Sequence, residues 1–188
     1  MRLFIAVTVD PSLRSPLVAI QEQLRPSGAP VSWVKPENLH FTLKFLGEVT
    51  EAHLPALREA FRRSAMGIKC FVLSLAGLGT FPPRGRPRVV WIGVTEGAGE
   101  MERLRERIDA TLAALGFPRE ARPFQPHLTL GRVKGVGRLD RLLEGLRRAE
   151  VGPVGRMEVR SVELMQSQLH PAGAIYTAIE TVPLAGEP

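Results

Sequence analysis

The chain has 188 residues, 44% of them hydrophobic and 23% charged, which is the composition of a compact globular protein and not of a disordered one. Cys70 is the single cysteine and no apolar run approaches 18 residues, so an internal disulfide and a membrane-spanning helix are both excluded, and a reducing cytoplasm is the expected compartment. The net charge of +6 favours an anionic partner or simply serves solubility, and the excess of 21 Arg over 4 Lys suits bidentate phosphate contacts or reflects a GC-rich or heat-adapted source.

In chain order, Met1 to Thr8 reads as a strand; its apolar run is too short for a signal peptide and leads into Asp10-Pro11. Pro11 to Leu24 reads as a helix, with Leu13, Leu17, Ile20 and Leu24 at helical spacing. After a connection containing Pro and Gly comes a strand carrying His40-Phe41-Thr42-Leu43. A second helix is expected over Glu51 to Ser64 and a strand over Cys70 to Leu75. Thr80 to Pro87 (Thr-Phe-Pro-Pro-Arg-Gly-Arg-Pro) is a loop. The same order then returns: a strand over Arg88 to Thr95, a helix over Gly99 to Leu115, a strand carrying His127-Leu128-Thr129-Leu130, a helix over Arg138 to Ala149 and a strand over Met157 to Leu164. Gln166 to Gly173 is the counterpart of the earlier loop, Ile175 to Glu180 repeats the first-strand pattern, and the tail from Pro183 to Pro188 is expected to fray.

A shift of 87 positions superposes the two tetrads and the segments around them, from His40 to His127. The repeats cover about 1–87 and 88–182, and each half reads β-α-β-α-β, with the third strand-like element of the first half doubling as the first of the second. The fold expected is α+β: a single bilobal domain over residues 1–188, two similar lobes with largely antiparallel sheets, outer helices and a central cleft.

Side chains alternate along a strand, so His40, Thr42 and Lys44 are expected on one face and Phe41, Leu43 and Phe45 on the other; His127 and Thr129 lie opposite Leu128 and Leu130. With the apolar faces on helices, the two His/Thr faces can oppose one another across the cleft. Two imidazoles supply an acid and a base near neutral pH, and hydroxyls can donate to phosphoryl oxygens. Either tetrad alone is better explained as a structural His and a strand-favouring Thr. Two copies on the polar phase of repeated strands are not. A metal site is disfavoured because His-X-Thr offers one ligand per strand and no tetrad contains an acidic residue. Cys70 reads as a buried structural thiol, His53 and His170 as surface residues, and no phosphate-loop or dinucleotide-binding glycine pattern is present.

The paired tetrads, with Asn38-Leu39-His40-Phe41-Thr42-Leu43-Lys44-Phe45-Leu46-Gly47, Pro126-His127-Leu128-Thr129-Leu130-Gly131-Arg132, Phe81-Pro82-Pro83 and Arg86-Pro87-Arg88-Val89-Val90-Trp91, resemble the 2H phosphoesterase superfamily, specifically its RNA 2′,3′-cyclic phosphodiesterase (2′-5′ RNA ligase) branch, over essentially the whole chain. The resemblance implies a bilobal, metal-independent and cofactor-free enzyme that opens a terminal 2′,3′-cyclic phosphate to a 2′-phosphate, with 2′-5′ ligation as reverse-type chemistry. It implies His40 as proton donor, His127 as proton acceptor, and Thr42 and Thr129 as phosphate contacts. Arg132 is a further phosphate candidate, although strict alternation from His127 puts it on the wrong face unless the strand bulges or bends at Gly131. Lys44, Arg84 and Arg86 read as solvated charges, with RNA contact as the alternative. The partners implied are RNA ends or small nucleotides, bound by a monomer. A phosphodiesterase for small cyclic or 2′,5′-linked nucleotides and a non-catalytic RNA-binding module are the rival readings.

Overall fold

The structure is a computed structural model and describes residues 1–149, 151–171 and 173–186. Nine strands and four α-helices are formed among them. The first half holds β1 (Arg2–Thr8), α1 (Pro11–Leu24), β2 (Val31–Trp33), β3 (His40–Glu48), α2 (Leu54–Ala65) and β4 (Phe71–Phe81). The second holds β5 (Val89–Glu96), α3 (Ala98–Ala113), β6 (His127–Val133), α4 (Leu139–Arg148), β7 (Gly155–Val159), β8 (Ser161–Gln168) and β9 (Ile175–Pro183). Helix α1 begins where its chemistry dictates: the Asp10 carboxylate accepts from the Ser12 amide across 2.8 Å, and Pro11 occupies the first turn, where a missing N–H costs nothing.

The strands form two antiparallel sheets, in the order β3-β1-β8-β9 and β2-β6-β5-β4-β7. Apart from β2, which has no counterpart, the orders correspond: β3 with β6, β1 with β5 and β8 with β4. The lobes are therefore not the two halves of the sequence. Strand β4, the last of the first repeat, pairs with β5, and its 87-position counterpart in the second repeat, β8, pairs with β1. The helices cross over as well, because α1 packs on β6 and β7 whereas α3 packs on β3. Gln21 of α1 ties this exchange, donating to the Val34 and Leu130 carbonyls across 2.8 and 2.9 Å. One buried apolar cluster runs through both lobes, from Leu3 to Leu184.

Four expectations are corrected. The last strand of the first half does not double as the first of the second: β4 and β5 are separate strands of one hairpin. The single strand expected over Met157 to Leu164 is two, β7 and β8, which part at Arg160 into different sheets. The tail is tied down as far as it is described, since Leu184 is buried and the Ala185 amide donates to the Ile68 carbonyl; Glu187 and Pro188 lie outside the described residues. The fourth correction concerns the faces of the tetrad strands.

In both tetrad strands the ladder slips by one residue at the same repeat position. Ile5 pairs with Lys44 and Ala6 with Thr42, leaving Leu43 as the extra residue. Val90 pairs with Gly131 and Trp91 with Thr129, leaving Leu130. Such a bulge reverses the phase of everything beyond it. Lys44 is thus turned inward and is only 7% exposed, whereas Phe45 is turned to the polar face and is 67% exposed, the reverse of the alternation expected. The Lys44 ammonium donates to Asp109 of α3 at 2.5 Å and to the Pro118 carbonyl at 2.7 Å. No helix among the described residues is long and apolar enough to cross a membrane.

Candidate active site

Strands β3 and β6 contact one another although they belong to different sheets. Their apolar phases, Phe41 and Leu43 on one and Leu128 and Leu130 on the other, are buried against the helices. Their polar phases carry His40, Thr42, His127 and Thr129, all half-buried. The two histidines are held alike. Nδ1 of His40 lies 2.7 Å from the Asn38 carbonyl oxygen, and Nδ1 of His127 lies 2.7 Å from the Gln125 carbonyl oxygen. Asn38 and Gln125 are themselves 87 positions apart. A carbonyl oxygen only accepts, so each Nδ1 carries the hydrogen and each neutral ring keeps its lone pair on Nε2. The Thr42 hydroxyl donates to that nitrogen of His40 across 3.1 Å.

Aromatic rings flank both imidazoles. Phe4 lies 5.0 Å from the His40 ring centroid and Tyr176 stands edge-on at 5.3 Å. Phe81 stands edge-on to His127 at 4.8 Å, with Trp91 at 6.3 Å. Phe4 and Trp91 are related by the 87-position shift, and that coincidence of aromatics in otherwise aliphatic strands is the signal by which sequence reasoning could have found them. Phe81 and Tyr176 have no such relation, so only the fold reveals them. Burial is the main reason that both histidines are held below the ordinary imidazole pKa; the carbonyl partners oppose it, and the Arg132 guanidinium depresses both further. One guanidinium therefore acts on both rings. The bulge at Leu130, next to the Gly131 that the sequence pointed to, is what turns it to the polar face.

A cleft of about 740 Å³ opens beside His40. Arg2, Lys35, Arg132 and Lys134 line it, Phe45 and Tyr176 contribute apolar wall, and among the described residues lining it there is no carboxylate. The short strand β2, which breaks the pseudo-symmetry, forms one wall with Trp33. Gly131 permits this, because a Cβ there would come within 2.5 Å of Val31 and 2.8 Å of Trp33. His170, expected on the surface, is exposed but faces this cleft. His53 is exposed and exchanges a hydrogen bond with the Thr50 hydroxyl at 2.7 Å. Cys70 is buried in the core. Arg84 and Arg86 are exposed, and Arg84 lines a second cleft on the His127 side with Trp91 and Gln125. Among the described residues no three His, Cys, Asp or Glu side chains are grouped to hold a metal.

A profile described as LigT-like phosphoesterase matches residues 7–91 and again 92–176. A protein of Methanothermobacter thermautotrophicus named RNA 2′,3′-cyclic phosphodiesterase is 42% identical over 96% of this chain and 97% of its own length. One of the same name from Archaeoglobus fulgidus is 45% identical over 94% of this chain and 96% of its own. Among solved structures, a Thermus thermophilus protein superposes with a TM-score of 0.81 at 34% identity, covering all of both chains. The E. coli LigT structure complexed with 3′-AMP gives 0.80 at 26% identity and covers 98% of each.

Proposed function

The chain belongs to the LigT-like phosphoesterase family, and from that premise we propose that it is an RNA 2′,3′-cyclic phosphodiesterase whose two histidines act as a general acid and a general base. In this reading water attacks the cyclic phosphorus and loses its proton to Nε2 of His127. The bond from phosphorus to the 3′ oxygen breaks, and that oxygen takes its proton from Nε2 of a protonated His40. The product carries a 2′-phosphate and a free 3′-hydroxyl, and exchange with solvent resets the two rings. Thr42, Thr129 and Arg132 donate to the non-bridging oxygens, where negative charge grows in the transition state.

One observation carries the reading: two imidazoles, tautomerically locked by equivalent carbonyls, stand on contacting strands within the field of one arginine. The assignment of acid and base is supported by the asymmetry of the cleft. In an in-line displacement the attacking water and the leaving oxygen sit on opposite sides of phosphorus. The nucleoside that carries the leaving oxygen needs space on the acid's side, and the wide cationic cleft adjoins His40. If the 5′-hydroxyl of a second RNA replaces water, the same departure of the 3′ oxygen yields a 2′-5′ linkage, which is the ligation activity we attach to this site. The reading needs no metal ion.

The test uses an oligonucleotide ending in a 2′,3′-cyclic phosphate, with EDTA present throughout. His40→Ala and His127→Ala should each lower kcat about 10²–10⁴-fold, the usual contribution of one acid–base group. Thr42→Ala should cost less. Undiminished turnover in either histidine variant, or complete inhibition by EDTA, would overturn the mechanism. Tight binding without turnover by the wild type would favour the non-catalytic RNA-binding rival.

A further inference from the structure

We propose that Phe45 takes the terminal base of the RNA chain end and that Arg2 and Lys134 hold the next phosphate upstream between them. This rests on the phosphodiesterase reading above and extends it along the substrate. Beyond the bulge at Leu130, Arg132 of β6 and then Lys134, the residue just past the end of that strand, line the cleft. Residues two apart on one face are about 6.6 Å apart along a strand, so Lys134 stands one such step beyond the arginine that acts on both histidines. The opposite sheet repeats the step. Phe4 abuts His40 at 5.0 Å, and Arg2 follows two positions away on the same face of β1.

The far end of the cleft thus carries one cation from each sheet, and neither forms an ion pair with a carboxylate among the described residues. A mononucleoside cyclic phosphate has a single anionic group, which the histidines, threonines and Arg132 already engage. It offers nothing to two cations a step further out, whereas a chain offers its next phosphodiester. The repeat sharpens the division of labour. Phe45 and Gly47 of β3 are the 87-position equivalents of Arg132 at the end of β6 and of Lys134 just past it. The β6 side of the cleft therefore carries two cations, and β3 on the other side offers, next to the strand that bears Arg2, an aromatic ring that is 67% exposed. An exposed ring beside unpaired cations is how single-stranded RNA is gripped, by stacking on one side and phosphate contacts on the other.

The experiment compares kcat/KM for cytidine 2′,3′-cyclic phosphate with that for a short oligonucleotide ending in the same group, at several salt concentrations. The wild type should prefer the oligonucleotide by about tenfold or more at low salt. The Arg2→Gln/Lys134→Gln double variant, with its thermal unfolding checked against wild type, should lose most of that preference. Its log–log salt slope for the oligonucleotide should fall by about 0.7, the single-strand value for one phosphate. Phe45→Ala should lower both substrates in parallel, by about tenfold for one stacked base. Equal kcat/KM for the two substrates in the wild type, or a preference that survives in the double variant, overturns the inference and leaves the phosphodiesterase reading standing. A wild type that hydrolyses neither substrate overturns that reading, and the inference with it.

Discussion

A histidine whose Nδ1–H is tied to a main-chain carbonyl can exchange protons only through Nε2, and both His40 and His127 are tied in this way. Burial and the nearby Arg132 hold both below the ordinary imidazole range of about 6.5 in the free protein. In the proposed mechanism one ring is protonated and the other neutral, so kcat/KM should follow a bell whose maximum lies below pH 6.5. Arg132→Gln removes a positive charge that disfavours imidazolium, so both limbs of the bell should move to higher pH. The rate at the optimum should fall by about 10²-fold or more if Arg132 holds the phosphate as proposed. A pH–rate series on the two proteins checks both, and limbs that stay in place would show that Arg132 does not act on the rings. The histidines and threonines were legible in the sequence because residue type and spacing alone carry them. The carbonyls of Asn38 and Gln125 were not, since any residue could present a backbone oxygen there.

At the level of single elements, the bulges in β3 and β6 decide which side chains reach the site. Alternation assigns Lys44 to the cleft and Phe45 to the core; one extra residue at Leu43 exchanges them. The exchange gives Lys44 a structural task. Its ammonium meets the buried Asp109 of α3, which also pairs with Arg105 at 3.2 Å and accepts from the Glu120 amide at 3.2 Å. Removing one partner of a buried pair leaves an uncompensated charge. Lys44→Ala should therefore lower unfolding stability by about 3–5 kcal/mol, read from the urea midpoint. A Lys44→Met/Asp109→Leu double variant should recover part of the loss by removing both charges together. A Lys44→Ala protein as stable as wild type would show that the pair holds nothing. The helices were legible because a 3.6-residue apolar period acts locally, as Leu13, Leu17, Ile20 and Leu24 show for α1. The bulges were not, because an extra residue in a ladder is defined only by what the neighbouring strand pairs with.

Over the whole molecule, the sequence repeat and the physical lobe are different objects. The halves send β4 and β8, and their first helices, to each other's sheets, and one core joins them. A fragment ending at residue 87 would strand β4 without β5 and α1 without β6 and β7. Expressed alone it should show little secondary structure by circular dichroism and no cooperative melt, whereas the full chain should unfold in one transition. A fragment that melts cooperatively by itself would sink that expectation. Such an exchange is invisible to a sequence read against itself, because the 87-position shift compares each residue with its equivalent and never with its neighbour in space. By itself the sequence determined the elements, their duplication, and the identity and polar phase of His40, Thr42, His127 and Thr129, because residue type and local periodicity are properties of short segments. Only the tertiary structure decided what those segments face: Arg132 turned to the polar face and Lys44 turned into the core by a bulge, and β2 added to one lobe alone. From these comes a cationic cleft beside His40 that makes two equivalent histidines unequal, because side-chain direction beyond a bulge and the partners of a strand depend on long-range pairing.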